Sequence, residues 1–340
     1  MDQLFSSFQI KNLELKNRVV MPPMCQYSVT KEDGTPNDWH YTHYVSRAVG
    51  GTGLVIVEMT NVEPDGRISN NCLGLWSDQQ IPAYKIIVDA VHEQGSKIAI
   101  QIAHAGRKAE DAETPVAPSA IRFNEQYKEP RALSTDEVKE MVEKFRQSVR
   151  RAVEAGFDAI ELHGAHGYLI HQFHSSYTNK RNDEYGQLTR FGTEVVKAAK
   201  SEMPEDMPLI MRISATEFVE EGYQLEGGIE LAKAYKEAGV DMFHISAGGE
   251  GAIAPSRNPG GHAGYMVPFA RAMREALEVP VIAVGRLEDA HLANAIVGNQ
   301  DADLVAVGRG MLRDPYWTIH AAHELGQETE VPVQYERGFA

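Results

Sequence analysis

The chain has 340 residues, of which 43% are hydrophobic and 24% are charged, and its formal net charge is −15. This composition is typical of a globular protein, and the acidic balance argues against nucleic acids and anionic membrane surfaces as partners. The first residues lack a basic segment followed by an apolar core, and no apolar run approaches the roughly 20 residues that span a bilayer. Two cysteines cannot build a disulfide framework, an iron–sulfur site or a four-cysteine zinc site, so a reducing cytoplasm is the expected location.

Eight short runs rich in Val, Ile and Leu recur along the chain, and segments with a helical pattern separate them. Near-continuous apolarity, rather than strict alternation, is typical of strands in a parallel sheet that helices cover. The predicted strands are residues 18–24, 53–59, 97–102, 157–163, 208–214, 240–246, 280–285 and 303–308.

The clearest predicted helix lies between the third and fourth of these strands. Apolar residues recur at helical spacing from 135 to 155. Ser134 and Glu137 form a capping-box pattern at its start, and Gly156 is a natural stop. Glycines are predicted to end three other helices in the same way: Gly95, Gly239 and Gly298.

Eight βα units in unbroken succession predict an α/β fold, a (β/α)8 barrel, with residues 1–340 as one domain. A doubly wound sheet is the alternative, but no Gly-x-Gly-x-x-Gly turn follows any predicted strand. The irregular stretch 106–133 is predicted either as a variable surface loop or as a cover over the site, because barrel enzymes place their catalytic groups at the carboxyl ends of the strands.

The most informative motif, His163-Gly-Ala-His166-Gly-Tyr168, follows the fourth predicted strand. Polar rings crowded beyond a strand end are costly to bury unless a ligand uses their hydrogen bonds. Two imidazole donors can hold one ligand oxygen while a phenol nearby supplies a proton, and this arrangement polarises a carbonyl and protonates the carbon beside it. The histidines would also suit a metal ion, but no third ligand stands at a telling spacing.

Glycine followed by arginine ends both of the last two predicted strands, as Gly285-Arg286 and Gly308-Arg309. Glycine lets backbone N–H groups approach a phosphate closely, and arginine supplies a fork of donors. Each pair is alternatively a turn glycine beside a surface arginine. Two such pairs in register favour a phosphate site, because the loops after strands seven and eight often hold phosphate in barrels.

Three other strand ends carry residues with two interpretations. Arg212 would either serve a ligand or form a salt bridge in the barrel mouth. Gln101 would either belong to the site or be an amide in the core. Cys25 would either belong to the site or be a small buried thiol.

In combination, these motifs resemble the old yellow enzyme family of flavin-dependent ene-reductases, and within it the bacterial NADPH dehydrogenase (xenobiotic reductase) branch. The resemblance runs from Leu15-Lys-Asn-Arg-Val-Val-Met-Pro-Pro-Met-Cys25 to Gln334-Tyr-Glu-Arg-Gly-Phe339. It includes Gln101-Ile-Ala-His-Ala-Gly-Arg107, the paired histidines and Val307-Gly-Arg309.

The resemblance implies a non-covalent FMN in the barrel mouth, with NADPH as the co-substrate. Cys25 would lie near the flavin and tune its potential, and Met59, which stands where a smaller residue is common, would narrow the pocket. The predicted cofactor contacts are Pro22, Pro23, Met24, Cys25 and Met59 at the isoalloxazine, Gln101 and Arg212 at its pyrimidine edge, and Gly285, Arg286, Gly308 and Arg309 at the phosphate.

The implied reaction reduces the C=C bond of α,β-unsaturated carbonyl compounds in two half-reactions, and related xenobiotics (nitro compounds, quinones and maleimides) are further substrates in a detoxifying role. NADPH passes a hydride to the flavin and leaves. The substrate then binds with its oxygen on His163 and His166, takes the hydride at its β-carbon and takes a proton from Tyr168 at its α-carbon.

The resemblance also assigns Tyr27 to the substrate and Arg337 to a neighbouring subunit's site in a homodimer or homotetramer. A solvated tail arginine is the alternative for Arg337. Two other functions remain open: a metal-dependent barrel hydrolase that uses the two histidines as ligands, and a barrel that binds flavin or phosphate without turnover.

Overall fold

The computed structural model describes residues 3–339. The strands are β1 (Phe8–Ile10), β2 (Leu13–Leu15), β3 (Val19–Met21), β4 (Leu54–Asn61), β5 (Lys97–Ala103), β6 (Val116–Ala117), β7 (Arg131–Ala132), β8 (Ala159–Gly164), β9 (Leu209–Ser214), β10 (Met242–Ser246), β11 (Val281–Ala283) and β12 (Leu304–Ala306). The α-helices are α1 (Asp38–Val49), α2 (Ile81–Glu93), α3 (Thr135–Ala155), α4 (Leu169–His174), α5 (Arg190–Glu202), α6 (Leu225–Ala238), α7 (Val267–Leu277), α8 (Ala290–Gly298), α9 (Arg309–Arg313) and α10 (Trp317–Glu324).

Eight parallel strands close into a barrel in the order β3-β4-β5-β8-β9-β10-β11-β12, with β12 paired back to β3. Helices follow the strands and cover the outside of the barrel, so the predicted (β/α)8 fold is confirmed. Because all eight strands run in the same direction, their carboxyl ends meet at one rim. The polar side chains of the strand ends are therefore gathered there.

The opposite rim is closed by an antiparallel hairpin of β1 and β2, which the sequence analysis did not predict. Phe8, Leu13 and Leu15 of this hairpin pack in one apolar cluster with inward residues of the barrel such as Ile56 and Ile210. This plug fills the amino end of the barrel with aliphatic side chains. The polar side chains that could act on a ligand are therefore those at the carboxyl end of the barrel.

The helix α3 begins and ends where the sequence predicts. The Ser134 hydroxyl accepts the Glu137 N–H at 3.2 Å, and the Glu137 carboxylate accepts the Ser134 N–H at 2.7 Å. Gly156 follows the helix in a left-handed conformation with φ of 92°, which favours glycine. In contrast, Gly298 is the last residue of α8 rather than the residue beyond it, and Asn299 caps that helix.

Several strands are shorter than predicted. The first barrel strand ends at Met21 because Pro22 and Pro23 have no N–H to continue the ladder. The last one ends at Ala306, two residues before Gly308. The residues that leave the sheet at these points form the loops of the carboxyl rim. None of the helices in residues 3–339 has the length and hydrophobicity needed to cross a membrane.

Candidate active site

The His163, His166 and Tyr168 side chains lie together at the carboxyl end of β8 and in the turn that follows it. The ring centroids of His163 and His166 are 5.2 Å apart and the two planes are nearly perpendicular, at 87°. The Tyr168 ring lies 4.8 Å from that of His163. The structure thus brings the three residues of the predicted motif into one cluster of polar rings.

The turn that carries His166 is held by two neighbouring strands. His166 has a left-handed backbone with φ of 60°, and its N–H donates to the Ser214 hydroxyl of β9 at 3.2 Å. Its Nε2 lies 2.7 Å from the Ser246 hydroxyl of β10. A non-glycine residue in this conformation persists only where its surroundings fix it. These contacts fix the orientation of the His166 ring.

The protonation states at this cluster follow from burial and charge. Burial, and then the Arg212 guanidinium, lower the pKa of His163 and of His166 well below the usual value, so both imidazoles are neutral at pH 7. The His163 Nδ1 accepts the Ala165 N–H at 3.3 Å, so its proton resides on Nε2, which is a donor. Burial raises the pKa of Tyr168, which keeps its phenol protonated.

Lys108 contacts both the histidine turn and the phenol. Its ammonium donates to the His166 carbonyl at 2.9 Å and lies 4.8 Å from the centre of the Tyr168 ring. The Phe123 ring lies 4.6 Å from the same nitrogen. Burial lowers the pKa of Lys108 to about 8. Through Lys108 and Phe123, the irregular stretch 106–133 lies against the site.

Arg212 of β9 is 9% exposed, and in the register of the sheet it stands beside His163 on one side and His244 on the other. Its Nε is buried and has no hydrogen-bond partner among the residues that the structure describes. No carboxylate within residues 3–339 forms an ion pair with it, so the predicted salt-bridge alternative is wrong. A buried guanidinium without a protein partner is suited to an anionic or carbonyl-rich ligand.

Gln101 belongs to a buried layer beneath that cation. Its Nε2 donates to the Glu161 carboxylate at 2.7 Å, and the same carboxylate accepts from His244 Nδ1 at 2.8 Å. Glu161 uses one of the two N–H groups of the Gln101 amide, so the second N–H and the Oε1 acceptor remain for a ligand. The Nε2 of His244 is buried and has no partner in the described part of the chain.

The two Gly-Arg pairs lie after β11 and β12, on the same rim. Gly285 has φ of 122°, and a Cβ there would lie 3.1 Å from Met266 Cβ. A Cβ on Gly308 would lie 3.5 Å from the Met24 sulfur, which places the segment after β3 beside this loop. Arg286 and Arg309 are exposed, and the Arg286 guanidinium donates to the Gly261 carbonyl.

Cys25 and Met59 lie on the Tyr168 side of the rim. Met59 and Cys72 belong to one buried cluster, and Cys25 and Tyr168 pack against it. Tyr27 is 51% exposed with φ of 50°, so its ring is free to meet a ligand. Arg337 is exposed, and no hydrogen bond or ion pair joins it to the histidine pair of its own chain across residues 3–339.

Sequence reasoning missed several polar residues of this rim. They are Lys108, Glu161, Ser214, His244 and Ser246. For the four that lie in strands, the signal is alternation, since Glu161 stands two residues before His163, Ser214 two after Arg212, and His244 two before Ser246. Residues two apart in a strand face the same side, so these positions share the barrel interior. Within residues 3–339, no three His, Cys, Asp or Glu side chains are grouped as metal ligands.

The fold and this rim define a (β/α)8-barrel enzyme with a buried cation and donor groups suited to an anionic organic cofactor. A family model described as the NADH:flavin oxidoreductase / NADH oxidase family matches residues 3–328. The chain therefore belongs to this family and is an oxidoreductase. The resemblance to the old yellow enzymes is confirmed, and with it the expected flavin cofactor, FMN.

Relatives of known name match along the full length. The chain is 47% identical over 343 residues to an NADPH dehydrogenase of Listeria monocytogenes serotype 4a (strain HCC23), and the match covers 100% of both proteins. It is 45% identical over 341 residues to an NADPH dehydrogenase of Bacillus subtilis (strain 168), with 99% of each covered.

Two solved structures are also similar. Morphinone reductase in complex with tetrahydroNAD superposes with a TM-score of 0.81 at 30% identity, covering 98% of this chain and 93% of that one. A 2-naphthoyl-CoA reductase gives a TM-score of 0.87 at 25% identity over 96% of this chain. The match covers 52% of the latter protein, so the chain spans about half its length.

Proposed function

We propose that this protein is an FMN-dependent NADPH dehydrogenase that reduces the C=C bond of α,β-unsaturated carbonyl compounds. The observation that carries the proposal is a cluster of polar rings in which the neutral imidazole of His163 contacts both the neutral imidazole of His166 and the protonated phenol of Tyr168. Beside it lies a buried arginine, Arg212, whose Nε has no hydrogen-bond partner among residues 3–339. The names of the similar proteins, NADPH dehydrogenase and a reductase complexed with tetrahydroNAD, support a reduced nicotinamide as the hydride donor.

The residues of the rim fit FMN. When bound, FMN accepts a hydride from NADPH and passes it to the substrate. The Arg212 guanidinium and the Gln101 carbonyl oxygen would hold the pyrimidine edge, where a cation favours the reduced, anionic form. The other residues assigned to the cofactor are Pro22, Pro23, Met24, Cys25 and Met59 along the ring, and Gly285, Arg286, Gly308 and Arg309 at the phosphate.

The two histidines would hold the substrate's carbonyl oxygen. His163 offers its Nε2–H, because its Nδ1 already accepts a backbone N–H. We assign the Ser246 hydroxyl as the donor to His166 Nε2, which leaves the His166 proton on Nδ1, the ring nitrogen without a partner among residues 3–339. Two neutral donors stabilise negative charge that develops on the oxygen and make the β-carbon electrophilic.

Tyr168 would supply the proton that completes the reduction. Its phenol touches His163 and remains protonated at neutral pH because burial raises its pKa. A general acid must lie within reach of the atom that it protonates, and here that atom is the substrate's α-carbon. The exposed Tyr27 would contact the substrate from the open side.

A visible absorption spectrum tests this function most directly. We expect a yellow protein that is bleached by NADPH without oxygen and regains its colour when an enone is added. Addition of p-hydroxybenzaldehyde should produce a long-wavelength charge-transfer band. A colourless preparation that releases no flavin on denaturation would contradict the proposal.

The proposal extends to nitro compounds, quinones and maleimides as substrates, to a detoxifying role in a reducing cytoplasm, and to a homodimer or homotetramer in which Arg337 reaches the neighbouring site. A flavin-binding barrel without turnover predicts no NADPH oxidation with any of these acceptors. The metal-hydrolase alternative needs a third ligand, and the described residues offer no grouped set.

A further inference from the structure

The backbone turn of residues 165–168, here called the His166 turn, has two successive residues in the left-handed region. His166 has φ of 60° and Gly167 has φ of 72°. A residue with a side chain adopts this conformation at a cost in free energy and keeps it only where contacts hold it. The serine contacts described above hold the N–H and the Nε2 of His166. The carbonyl of His166 is the group that these contacts leave free.

The loop that follows β10, residues 247–251, lies directly against the His166 turn. A Cβ on Gly249 would overlap the Cα of His166, and a Cβ on Gly167 would overlap the carbonyl oxygen of Gly249. The two backbones therefore touch without a side chain between them. The carbonyls of His166 and Gly249 are brought close to one another by this contact.

This loop is anchored on both sides of Gly249. The Ser214 hydroxyl donates to the Gly248 carbonyl at 2.8 Å. The buried Arg107 guanidinium donates to the Glu250 carbonyl at 2.5 Å and lies 3.1 Å from the carboxylate of the same residue. The loop is therefore a fixed support on which the His166 turn rests.

Lys108 joins the turn to this support. Its ammonium donates to the His166 carbonyl at 2.9 Å and to the Gly249 carbonyl at 3.4 Å. Among residues 3–339, these are the hydrogen bonds that the two carbonyls receive. The charge acts in the same direction, since the Lys108 ammonium adds to burial and to Arg212 in lowering the pKa of His163 and of His166.

We propose that Lys108 is a positioning residue: by joining the His166 turn to the loop after β10, its ammonium holds the His166 imidazole where it donates to the substrate's carbonyl oxygen. Without the ammonium, two neighbouring carbonyl oxygens would lose their shared donor, and the left-handed turn would lose a contact that opposes its relaxation. The role rests on the proposed function, because that function assigns the substrate's oxygen to His166.

Crystal structures of the wild type and of Lys108→Met test the positioning without flavin chemistry. Methionine keeps an unbranched side chain between the Phe123 and Tyr168 rings and removes the charge and the N–H donors. We expect His166 to leave the left-handed region, or its ring to move away from the Ser246 hydroxyl, which lies 2.7 Å from its Nε2. A variant in which the φ of His166 and this contact are both unchanged would overturn the proposal.

Binding of p-hydroxybenzaldehyde to the holoenzyme measures the consequence for a ligand. Lys108→Met should bind it about 10-fold more weakly, the loss of one hydrogen bond to the ligand oxygen, with FMN content unchanged. Lys108→Arg keeps the charge and N–H donors and should bind within about 3-fold of the wild type. Lys85→Met, at an exposed position on α2, is the control and should bind normally. If Lys108→Met is insoluble, Lys108→Gln, which also lacks the charge, replaces it in both measurements.

The two measurements together decide the role. Weaker binding with an unmoved turn would show that the ammonium attracts the phenol directly, and a displaced turn with unchanged binding would show that the ligand does not depend on the place of His166. Either result overturns the proposal, as does a Lys108→Arg protein that binds no better than Lys108→Met. A colourless wild type without flavin contradicts the proposed function, and the crystal comparison still decides whether Lys108 holds the turn. A yellow wild type that binds the phenol no better than Lys108→Met contradicts the role of Lys108 alone.

Discussion

The two imidazoles can act together only because neither is charged. Their pKa values are lowered by burial and by the nearby Arg212, so both offer neutral donors instead of repelling one another. Replacing His163 and His166 together with alanine should remove both hydrogen bonds to a ligand oxygen, at about 1.5 kcal/mol or more each. Binding of p-hydroxybenzaldehyde, followed by its charge-transfer band, should weaken by about 100-fold or more while FMN stays bound.

The control for this change is His291→Ala, since the His291 side chain is 69% exposed and lies on α8. That variant should bind the phenol normally. Enone turnover that survives the double replacement would show that the pair does not hold the substrate's oxygen.

The Tyr168→Phe variant distinguishes the effect of proton donation from that of hydride transfer. The substitution keeps the ring that packs against His163 and removes only the hydroxyl. Loss of a general acid typically slows its step by a factor of roughly 10² to 10⁴. Stopped-flow measurement should find that reaction with an enone slows by about that factor, while flavin reduction by NADPH is little changed. An equal loss in the two half-reactions would count against Tyr168 as the donor.

A second buried acid, Glu58, predicts a pH dependence of stability. Its carboxylate accepts the Gln26 N–H at 2.9 Å and the Tyr44 hydroxyl at 2.6 Å, yet burial raises its pKa from the usual 4.5 to about 7. The folded state therefore binds the proton more tightly than the unfolded state. The contribution of this group to stability is complete below pH 4.5 and is lost as pH rises through 7.

The size of this loss is about 3 kcal/mol, from a change in pKa of 7 − 4.5 = 2.5. Glu58→Gln cannot ionise, so the stability of wild type relative to this variant should fall by about that amount between pH 4.5 and pH 8. Urea unfolding of the holoenzyme at the two pH values measures the difference. If the difference in free energy of unfolding between the wild type and Glu58→Gln does not change with pH, the prediction is contradicted.

At the residue scale, sequence reasoning was strongest where one motif holds several functional groups. His163, His166 and Tyr168 are close in sequence, so the prediction that their side chains lie together required only the position of one strand end. The Gln101–Glu161–His244 chain joins three different strands across the barrel interior. Such a layer depends on the register of a closed sheet, which the sequence of a single strand does not contain.

At the scale of single elements, α3 shows what local chemistry determines. Its bounds follow from a capping box, a helical apolar pattern and a left-handed glycine, all within one segment. Ser134→Ala removes the hydroxyl that accepts the Glu137 N–H and should lower the free energy of unfolding by about 1 kcal/mol. Urea unfolding beside Ser201→Ala, an exposed serine at the end of α5, provides the comparison. Equal stability of the two variants would show that the cap contributes nothing.

Other elements had no such local signal. Strands β1 and β2 have three residues each, too few to show a periodic pattern, and their role appears only when Phe8 and Leu15 close the barrel. The barrel strands themselves were located by their apolar runs, but the carboxyl ends of three of them were placed too late, at Met21, Ala283 and Ala306. Apolarity continues past the last ladder hydrogen bond, because the rim loops are buried as well.

In the molecule as a whole, the residues that stabilise the barrel and the residues that could bind a ligand lie at opposite ends of it. An aliphatic plug closes the amino rim, whereas one polar atom each of Arg212 and His244, without a partner in the described part of the chain, lies toward the carboxyl rim, on β9 and β10. Buried polar groups without partners cost stability and are expected where a ligand satisfies them. FMN binding should therefore contribute to folding stability as well as to catalysis.

The C-terminal tail carries Arg337, the residue that the proposed assembly places at a neighbouring site. Tyr335 packs on Tyr316 at 5.7 Å between ring centroids, and Arg337, two residues further on, is exposed. If Arg337 completes a neighbouring subunit's site, Arg337→Ala should raise the KM for an enone by about 10-fold, the loss of one hydrogen bond from a charged group, without lowering FMN content. Arg271→Ala, at an exposed position on α7, serves as the control.

The oligomeric state of the protein provides the second part of this test. Sedimentation velocity should show a dimer or tetramer for the wild type and for both arginine variants, because a single tail contact does not hold an interface. Diluting the wild type until it dissociates should raise its KM to that of Arg337→Ala, whereas the KM of the variant should not change on dilution. A monomeric wild-type enzyme, or an Arg337→Ala variant with an unchanged KM, would show that this side chain is a solvated tail arginine.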